Sequence, residues 1–341
     1  MSRVKLNVVL TVCLALLFFL VAHAGAEDLY VLSRSSGKIF VFDSDDSGTV
    51  APKREFSGVA TTLTVNGIYG LFLSGGELFV SNESTDSILV FNAGDNGNVA
   101  PKRSISGANT GFSTPRDMFV IGTDLYVVDE SGHSVKVFNK YDSGNVAPVR
   151  EITGFLNDLY AAVVYGSELF VMDSTAKVSV FDRTATGTVA ATVKRTIDLA
   201  TLSGPRGLWI DNGIIYASDS NQISTFPVSS TGVVAPITTI TGAATNLSDC
   251  HALFVKNGNI YSTNYSDASH AVQVFLVSDD GNVAPQRFLA SAGLTYPLGI
   301  AMETETAATI PTLSEWGMII FSILLGTIAI WTMNRRKEQM I

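Results

Sequence analysis

The sequence has little cysteine and few charged residues. Only two cysteines occur in 341 residues, and Cys13 lies in an apolar N-terminal stretch, so the mature chain keeps Cys250 alone. One cysteine cannot form an internal disulfide, and stability must therefore come from packing. With 46% hydrophobic and 16% charged residues, the chain has material for one large all-β domain or two ordinary ones.

The chain also has no excess of basic over acidic residues. The formal net charge is −9, and setting aside the leader (net +2) and the tail from Ile310 (net +1) leaves −12 on residues 27–309. An acidic domain repels phosphate backbones, so nucleic acid is excluded as an expected partner.

The first 26 residues predict a secretory signal peptide. Arg3 and Lys5 precede an apolar run over residues 8–21, and small residues follow at Ala22, Ala24 and Ala26. Cleavage after Ala24 or Ala26 by signal peptidase, following passage through the Sec translocon, would give a mature start near Glu27. An uncleaved N-terminal membrane anchor is the alternative.

One unit is repeated six times along the chain. An apolar strand with an aromatic second or third position begins at Leu29, and its copies follow at successive spacings of 49, 47, 44, 46 and 45 residues. Turn clusters separate runs of β-branched and aromatic residues, which favours strands over helices. A period of this size fits a four-stranded propeller blade and is too long for one coil of a β-helix.

Each unit contains further recurring residues. The second strand ends in a phenylalanine, which predicts a wedge between neighbouring blades. A glycine loop, usually with Val-Ala-Pro, leads to an outer strand whose arginine predicts a solvated edge. The phenylalanines are Phe42, Phe91, Phe138, Phe181, Phe226 and Phe275; the glycines are Gly48, Gly97, Gly144, Gly187, Gly232 and Gly281; the arginines are Arg54, Arg103, Arg150, Arg195 and Arg287.

A short apolar strand after each outer strand predicts the innermost strand of the next blade. The first unit lacks such a strand, and a surplus one stands at residues 299–302. The sequence therefore predicts a six-bladed, all-β propeller of four-stranded blades, closed by a C-terminal innermost strand beside the N-terminal strands.

The units resemble NHL-type repeats. The stretches GLWIDNGIIYASDSNQISTF and DMFVIGTDLYVVDESGHSVKVF carry the resemblance, which covers residues 27–305 as six degenerate copies. It implies a six-bladed propeller. Some NHL domains bind RNA, but that requires a basic face, which this acidic chain lacks.

The tail predicts a membrane segment. Residues 317–333 are almost wholly apolar, and a helix of this length spans about 25 Å, within the range of transmembrane helices. Arg335, Arg336 and Lys337 follow and place the basic tail, residues 334–341, in the cytoplasm with the propeller outside.

The linker of residues 306–316 leads into a motif, IPTLSEWG. Ile310, Pro311, Thr312, Leu313, Trp316 and Gly317, with the apolar segment and the basic end, are similar to the IPTL-type C-terminal sorting signal (IPTL-CTERM) of Gram-negative bacteria. The resemblance implies that an exosortase-type membrane protease cuts near the motif and releases or transfers the domain. A permanent single-span anchor is the alternative.

Two places imitate catalytic or metal chemistry. Asp43, Asp45 and Ser47 resemble the start of a calcium loop, but Arg54 stands where a bidentate glutamate belongs, which favours a hairpin turn. Asp129, Asp173 and Asp219 recur after the aromatic strand; recurrence favours turn capping over catalysis. No resident cofactor is expected, and calcium stays the only candidate.

Non-repeating polar residues gather near the innermost strands. Arg116, Asp117, Arg206 and His251, next to Cys250, are weak candidates for ligand contacts at the mouth of the channel. Zinc or Cys–His nucleophilic chemistry would need a further partner at ligand spacing.

The sequence favours an exported, membrane-anchored or exosortase-processed surface protein. Its propeller is expected to be a non-enzymatic module that binds a protein or glycan. The alternative is a lactonase- or lyase-like enzyme, in which resemblance to other six-bladed propellers implies one metal in the channel. No full ligand set can be assigned for it.

Overall fold

The computed structural model describes residues 26–266 and 270–303, which form six antiparallel sheets arranged as the blades of a propeller. Each blade has four main strands, ordered from the channel outward. Blade 1 contains β27 (Pro297–Ala301), β1 (Asp28–Ser33), β2 (Lys38–Asp43) and β4 (Arg54–Phe56); blade 2 contains β5 (Ile68–Ser74), β6 (Glu77–Asn82), β7 (Ser87–Asn92) and β8 (Arg103–Ser106); blade 3 contains β9 (Pro115–Ile121), β10 (Asp124–Asp129), β11 (Ser134–Asn139) and β12 (Arg150–Thr153). Blade 4 contains β13 (Leu159–Tyr165), β14 (Glu168–Asp173), β15 (Lys177–Asp182) and β17 (Arg195–Asp198); blade 5 contains β18 (Leu208–Asp211), β19 (Ile214–Asp219), β20 (Gln222–Pro227) and β22 (Thr239–Thr241); blade 6 contains β23 (Cys250–Lys256), β24 (Asn259–Asn264), β25 (Ala271–Leu276) and β26 (Arg287–Ala290).

The remaining elements are short. The two-residue strands are β3 (Gly48–Thr49), β16 (Gly187–Thr188) and β21 (Gly232–Val233); the 3₁₀ turns are Val59–Thr61, Glu83–Thr85, Ala108–Thr110 and Ala243–Thr245. One helical turn, Val189–Thr192, stands in the fourth unit, where Ala191 replaces the proline of the other five. Alanine keeps the N–H and the helical backbone that proline would oppose.

The C-terminal strand closes the ring as predicted. Strand β27 pairs with β1 in antiparallel fashion, with Val31 opposite Ile300. Both strands are buried on both faces. The first blade is thus assembled from the two ends of the propeller, which leaves no gap in the ring.

The prediction that phenylalanine fills the space between blades is confirmed. All six phenylalanines at the end of the third strand of each blade are fully buried. Phe91 packs with blade 1 residues such as Val41 and Phe56, and the Phe56 and Phe91 ring centres lie 5.5 Å apart at 73°. Each buried phenylalanine contributes roughly 2–3 kcal/mol relative to an exposed one.

The outer edges of the blades are covered, which corrects the prediction of a free edge. The repeated glycine of each unit forms a parallel bridge to the outermost strand of the preceding blade. The pairs are Phe56–Gly97, Ile105–Gly144, Ile152–Gly187, Ile197–Gly232, Ile240–Gly281 and Leu289–Gly48. These glycines have φ between +68° and +112°, a backbone conformation that residues other than glycine adopt only with strain.

Four of the five outer-strand arginines are ion-paired, and Arg287 donates to the carbonyl oxygen of Ser44, so the prediction of a solvated edge is wrong for them. Arg103 makes two 2.7 Å bonds to Glu77 and donates at 2.5 Å to the carbonyl oxygen of Lys140 in the next blade. Arg195 repeats this with Glu168 at 2.7 and 2.8 Å. These bonds hold the pKa of Glu77 and that of Glu168 at about 2. Arg103 and Arg195 thereby fasten their blades to the next blade.

Candidate functional site: the mouth of the central channel

All six innermost strands begin on the same face of the ring and run away from it. Six side chains therefore form one ring around the entrance to the channel: Tyr69, Arg116, Tyr160, Arg206, His251 and Leu298. We call this ring, together with the flanking residues Arg34, Glu83, Glu130 and Asp249, the channel mouth. The described chain ends at the other end of the strands, where the Glu303 carboxylate accepts the backbone N–H of Gly75 at 2.8 Å.

The next ring inward is made of small residues, with one exception. It contains Gly70, Asp117, Ala161, Gly207, Ala252 and Gly299. A Cβ atom on Gly70 would lie 2.2 Å from the carbonyl oxygen of Arg116, and one on Gly207 would lie 2.6 Å from that of His251. The glycines let neighbouring strands approach, and the cavity that remains has a volume of about 60 Å³. It accommodates a few water molecules but no drug-sized ligand.

Buried hydroxyls on the second strand of three blades hold the backbone around the mouth. Each accepts an N–H of its own innermost strand and donates to a carbonyl of the next blade. Ser218 links the Gly207 N–H at 2.9 Å to the Cys250 carbonyl at 3.0 Å, and Thr263 links Ala252 at 2.9 Å to Leu298 at 3.1 Å. Ser81 does the same between blades 2 and 3. The mouth therefore has a rigid frame.

Arg116 is the centre of one charged cluster. Its guanidinium bonds to Glu130 at 2.6 Å, and Glu83 lies 3.8 Å from Nε and also pairs with Arg34. The guanidinium carbon lies 4.4 Å from the centre of the Tyr69 ring and 5.5 Å from that of Tyr160. Arg116 is thus held between two aromatic rings, a favourable cation–π arrangement.

A second cluster joins blades 5 and 6. The His251 Nε2 lies 3.5 Å from the Asp249 carboxylate, and its Nδ1 lies 3.3 Å from the Tyr69 hydroxyl. Burial keeps the pKa of His251 below its ordinary value, while the hydrogen bond from His251 lowers the pKa of Asp249. Burial also raises the pKa of Tyr69 to about 12, so this hydroxyl stays protonated.

Asp117 is the exception in the small ring and faces the cavity. Its carboxylate accepts the backbone N–H of Ala162 from the neighbouring blade at 3.0 Å. Burial raises the pKa of Asp117 to about 7. A carboxyl with such a pKa in a cavity can exchange a proton near neutral pH, but its contact with the Ala162 N–H also gives it a structural role.

Burial makes the Cys250 thiol a poor nucleophile. Its side chain is fully buried, and burial raises the pKa of the thiol to about 12. Within residues 26–266 and 270–303, no group of three His, Cys, Asp or Glu side chains could hold a metal ion. Calcium and channel-metal binding therefore gain no support from the described part of the chain.

The calcium-like stretch is a hairpin turn. Asp46 accepts the backbone N–H of Asp43 at 2.9 Å, and Asp43 pairs with Lys53 at 2.6 Å. Asp95 and Asp142 make the same turn contact in blades 2 and 3. These carboxylates are used in forming the turns.

Among the recurring aspartates, Asp173 caps its own turn as predicted, because it accepts the backbone N–H groups of Thr175 and Lys177. The other two also cap a segment that was not expected. Asp129 accepts the N–H groups of Ser113 and Thr114, and Asp219 accepts those of Ser203 and Gly204. Asp129 and Asp219 thus bond to the loop before the innermost strand of their own blade, some 15 residues earlier in the chain, and not only to their own turn. Their role is structural, as predicted.

The structure brings three of the four predicted contact residues into one ring and places the fourth just below it. Arg116, Arg206 and His251 lie in the mouth, and Asp117 lies in the next ring. Sequence reasoning missed Tyr69 and Tyr160. The register of the repeat contained the signal, because both tyrosines immediately precede the predicted innermost strands at the positions of Arg116 and Arg206.

Several predictions fall outside the described residues. These are the signal peptide (residues 1–25 of the predicted 1–26), the sorting motif, the membrane segment 317–333 and the basic residues Arg335, Arg336 and Lys337. No helix in the described part of the chain is long and apolar enough to cross a membrane.

The fold is similar to that of solved β-propellers. The WD40 β-propeller domain of Doa1 gives a TM-score of 0.53 at 12% identity, covering 79% of this chain and 84% of that one. A chain of the nidogen/laminin complex gives 0.54 at 13%, covering 81% and 97%, and one of the mitotic checkpoint complex gives 0.52 at 13%, covering 81% and 80%. At such identities the likeness shows the fold alone, and the NHL assignment stays a prediction.

The C-terminal segment matches a family model. Residues 308–336 match the IPTL-CTERM motif, which includes the predicted motif residues together with Arg335 and Arg336. No curated protein matches the chain at a significant level. A sorting signal of this kind implies export to the cell envelope and processing by exosortase-type machinery. The chain is therefore a six-bladed β-propeller with a C-terminal IPTL-CTERM sorting signal.

Proposed function

We propose that this exported protein is a non-enzymatic binding module, delivered to the cell envelope by its C-terminal segment, with the channel mouth as its contact surface. An N-terminal signal peptide, an apolar membrane segment over residues 317–333 and an outward-facing propeller belong to the same proposal.

The observation that carries the proposal is the position and composition of the mouth. Aromatic and charged side chains from five blades converge there, at the end of the innermost strands opposite to Glu303. The charged side chains of the mouth have partners of opposite charge within the site, which supports a role in polar contacts with a ligand.

Binding to the producing cells provides the test. Fluorescently labelled full-length protein, kept in detergent micelles, is added to cells of a deletion strain, and bound protein is counted by flow cytometry. We expect saturable binding that the double variant Arg116→Gln, Arg206→Gln reduces at least tenfold. Tyr165→Ala lies at the far end of the same innermost strand as Tyr160 and is the matched control; it should bind as the unmodified protein does.

Two results would overturn the proposal. Equal binding by the double variant would remove the mouth as the contact surface. Turnover of a lactone or elimination from a uronate by the purified full-length protein, lost on Asp117→Asn, would replace binding by the lactonase- or lyase-like alternative.

A further inference from the structure

We infer that the channel mouth binds a neutral saccharide, with the Tyr160 ring as the stacking surface and Arg116 and Arg206 as hydrogen-bond donors beside it. The inference rests on the proposed function, since it names the ligand class of the same surface.

Tyr160 is placed as a platform between two guanidinium groups. The guanidinium carbons of Arg116 and Arg206 each lie 5.5 Å from the centre of its ring. The ring is partly exposed, and its hydroxyl makes no hydrogen bond with any residue in the described ranges. Both guanidinium groups lie over the ring, and the part of the ring that stays exposed beside them matches a pyranose ring, which has apolar C–H faces and hydroxyls around its rim.

The Arg206 guanidinium has N–H groups that are available for a ligand. Its nearest acidic partner is Asp249, 3.7 Å from Nε, which is beyond hydrogen-bond distance. Its side chain is 31% exposed. The Nε atoms of Arg116 and Arg206 are both buried without a hydrogen bond. A guanidinium this poorly satisfied gains from a ligand that supplies acceptors.

The charge balance favours a neutral ligand over an anionic one. The mouth has three arginines and three carboxylates, namely Arg34, Arg116, Arg206, Glu83, Glu130 and Asp249. Hydroxyl groups both donate and accept, so they suit a surface where donors and acceptors alternate. A polyanion would approach a domain with a net charge of −12 and would be repelled at long range.

Size and topology restrict the binding mode. A cavity of about 60 Å³ is too small for a sugar ring, so the ring would lie across the mouth above it. An extended peptide could add a strand only to an open sheet edge, and the glycine bridges cover the outer edges of all six blades. The mouth therefore fits a saccharide better than a strand-adding peptide.

The experiment measures binding of hexasaccharides to the full-length protein by saturation-transfer NMR and calorimetry, in a detergent without a sugar headgroup. The neutral probes are hexasaccharides of glucose, mannose, galactose and N-acetylglucosamine, and hexagalacturonate is the acidic probe. We expect a neutral probe to bind with a Kd that changes less than twofold between 20 and 300 mM NaCl, on the order expected for uncharged ligands. Thermal unfolding of every variant checks that it is folded.

Three variants locate the site. Tyr160→Ala should weaken binding at least tenfold, Tyr160→Phe should keep it because the ring remains, and the control Tyr165→Ala should leave it unchanged. Binding of the acidic probe alone, or an affinity that falls steeply with salt, would overturn the inference. If no saccharide binds but the protein still binds cells through its mouth, the ligand class is wrong and the proposed function stands. If neither occurs, both fail.

Discussion

Replacing Asp117 by asparagine should stabilise the propeller, and the stabilisation should grow as pH rises from about 4 to about 7. Burial raises the carboxyl pKa from 3.8 to about 7. The folded state therefore holds a proton between about pH 4 and pH 7 that the unfolded state has released. The free energy of unfolding of the unmodified protein falls as pH rises through this window and stays lower above about pH 8.

The magnitude follows from the pKa shift. At about 1.36 kcal/mol per unit, three units give about 4 kcal/mol as an upper bound. The carboxylate faces a cavity that can hold water, which reduces the cost of its charge, so we expect about 2–4 kcal/mol. Asparagine carries no charge, and its amide oxygen can still accept the Ala162 N–H.

Urea unfolding from pH 4 to pH 9 measures the effect. Far-UV circular dichroism and the fluorescence of Trp209, which lines the same cavity, report unfolding. The stability difference between Asp117→Asn and the unmodified protein should be near zero or negative at pH 4 and grow to its full value by pH 8. Asp45→Asn, at an exposed turn position, is the control and should show no such trend. A difference independent of pH, or a variant less stable at pH 8, would refute the reasoning.

Three further predictions concern the frame of the ring. Arg103 holds the Glu77 pKa near 2, so Glu77→Gln should lower the free energy of unfolding by about 1–3 kcal/mol at pH 7, as measured by urea unfolding. This loss should disappear as pH falls from 4.5 toward 2, and a pH-independent loss would contradict the prediction. Gly70→Ala should lower the free energy of unfolding by several kcal/mol, since the added Cβ would lie 2.2 Å from a backbone atom. The control Gly94→Ala, which has no atom within 4 Å of the added Cβ, should leave that free energy nearly unchanged. Equal effects of the two variants would argue against the close approach of the strands at Gly70. A chain ending before residues 297–303 should unfold at least 10 °C earlier by circular dichroism, because the closing strand is buried; an unchanged melting temperature would contradict ring closure by that strand.

The repeat made the fold predictable. A constant period with one phenylalanine per unit fixed the number of blades, and the surplus strand at the C-terminus predicted the closure. The outer-strand arginines were misjudged because their partners are brought near only by the ring. Arg103 meets Glu77 across its own sheet and the Lys140 carbonyl in the next blade. Such contacts have no signal in local sequence.

The site was only partly predictable. Arg116, Arg206 and His251 were recognised because polar residues are unexpected beside apolar strands. Tyr69 and Tyr160 were hidden, since tyrosine is common in strands and reads as core. The ion pairs of the mouth involve Glu83, Glu130 and Asp249. Glu130 lies in the same blade as Arg116, but Glu83 and Asp249 lie in blades next to those of their arginines, so the packing of neighbouring blades brings them together.

The measurement that tests the central claim most directly is antibody labelling of the folded propeller on intact producing cells. The unmodified protein should be labelled at the surface without permeabilisation. A chain lacking residues 308–336 should lose most of that surface signal to the culture medium or the cell interior, with its total amount unchanged. Labelling that requires permeabilised cells, or a surface signal unaffected by the deletion, would contradict export and display through the C-terminal signal.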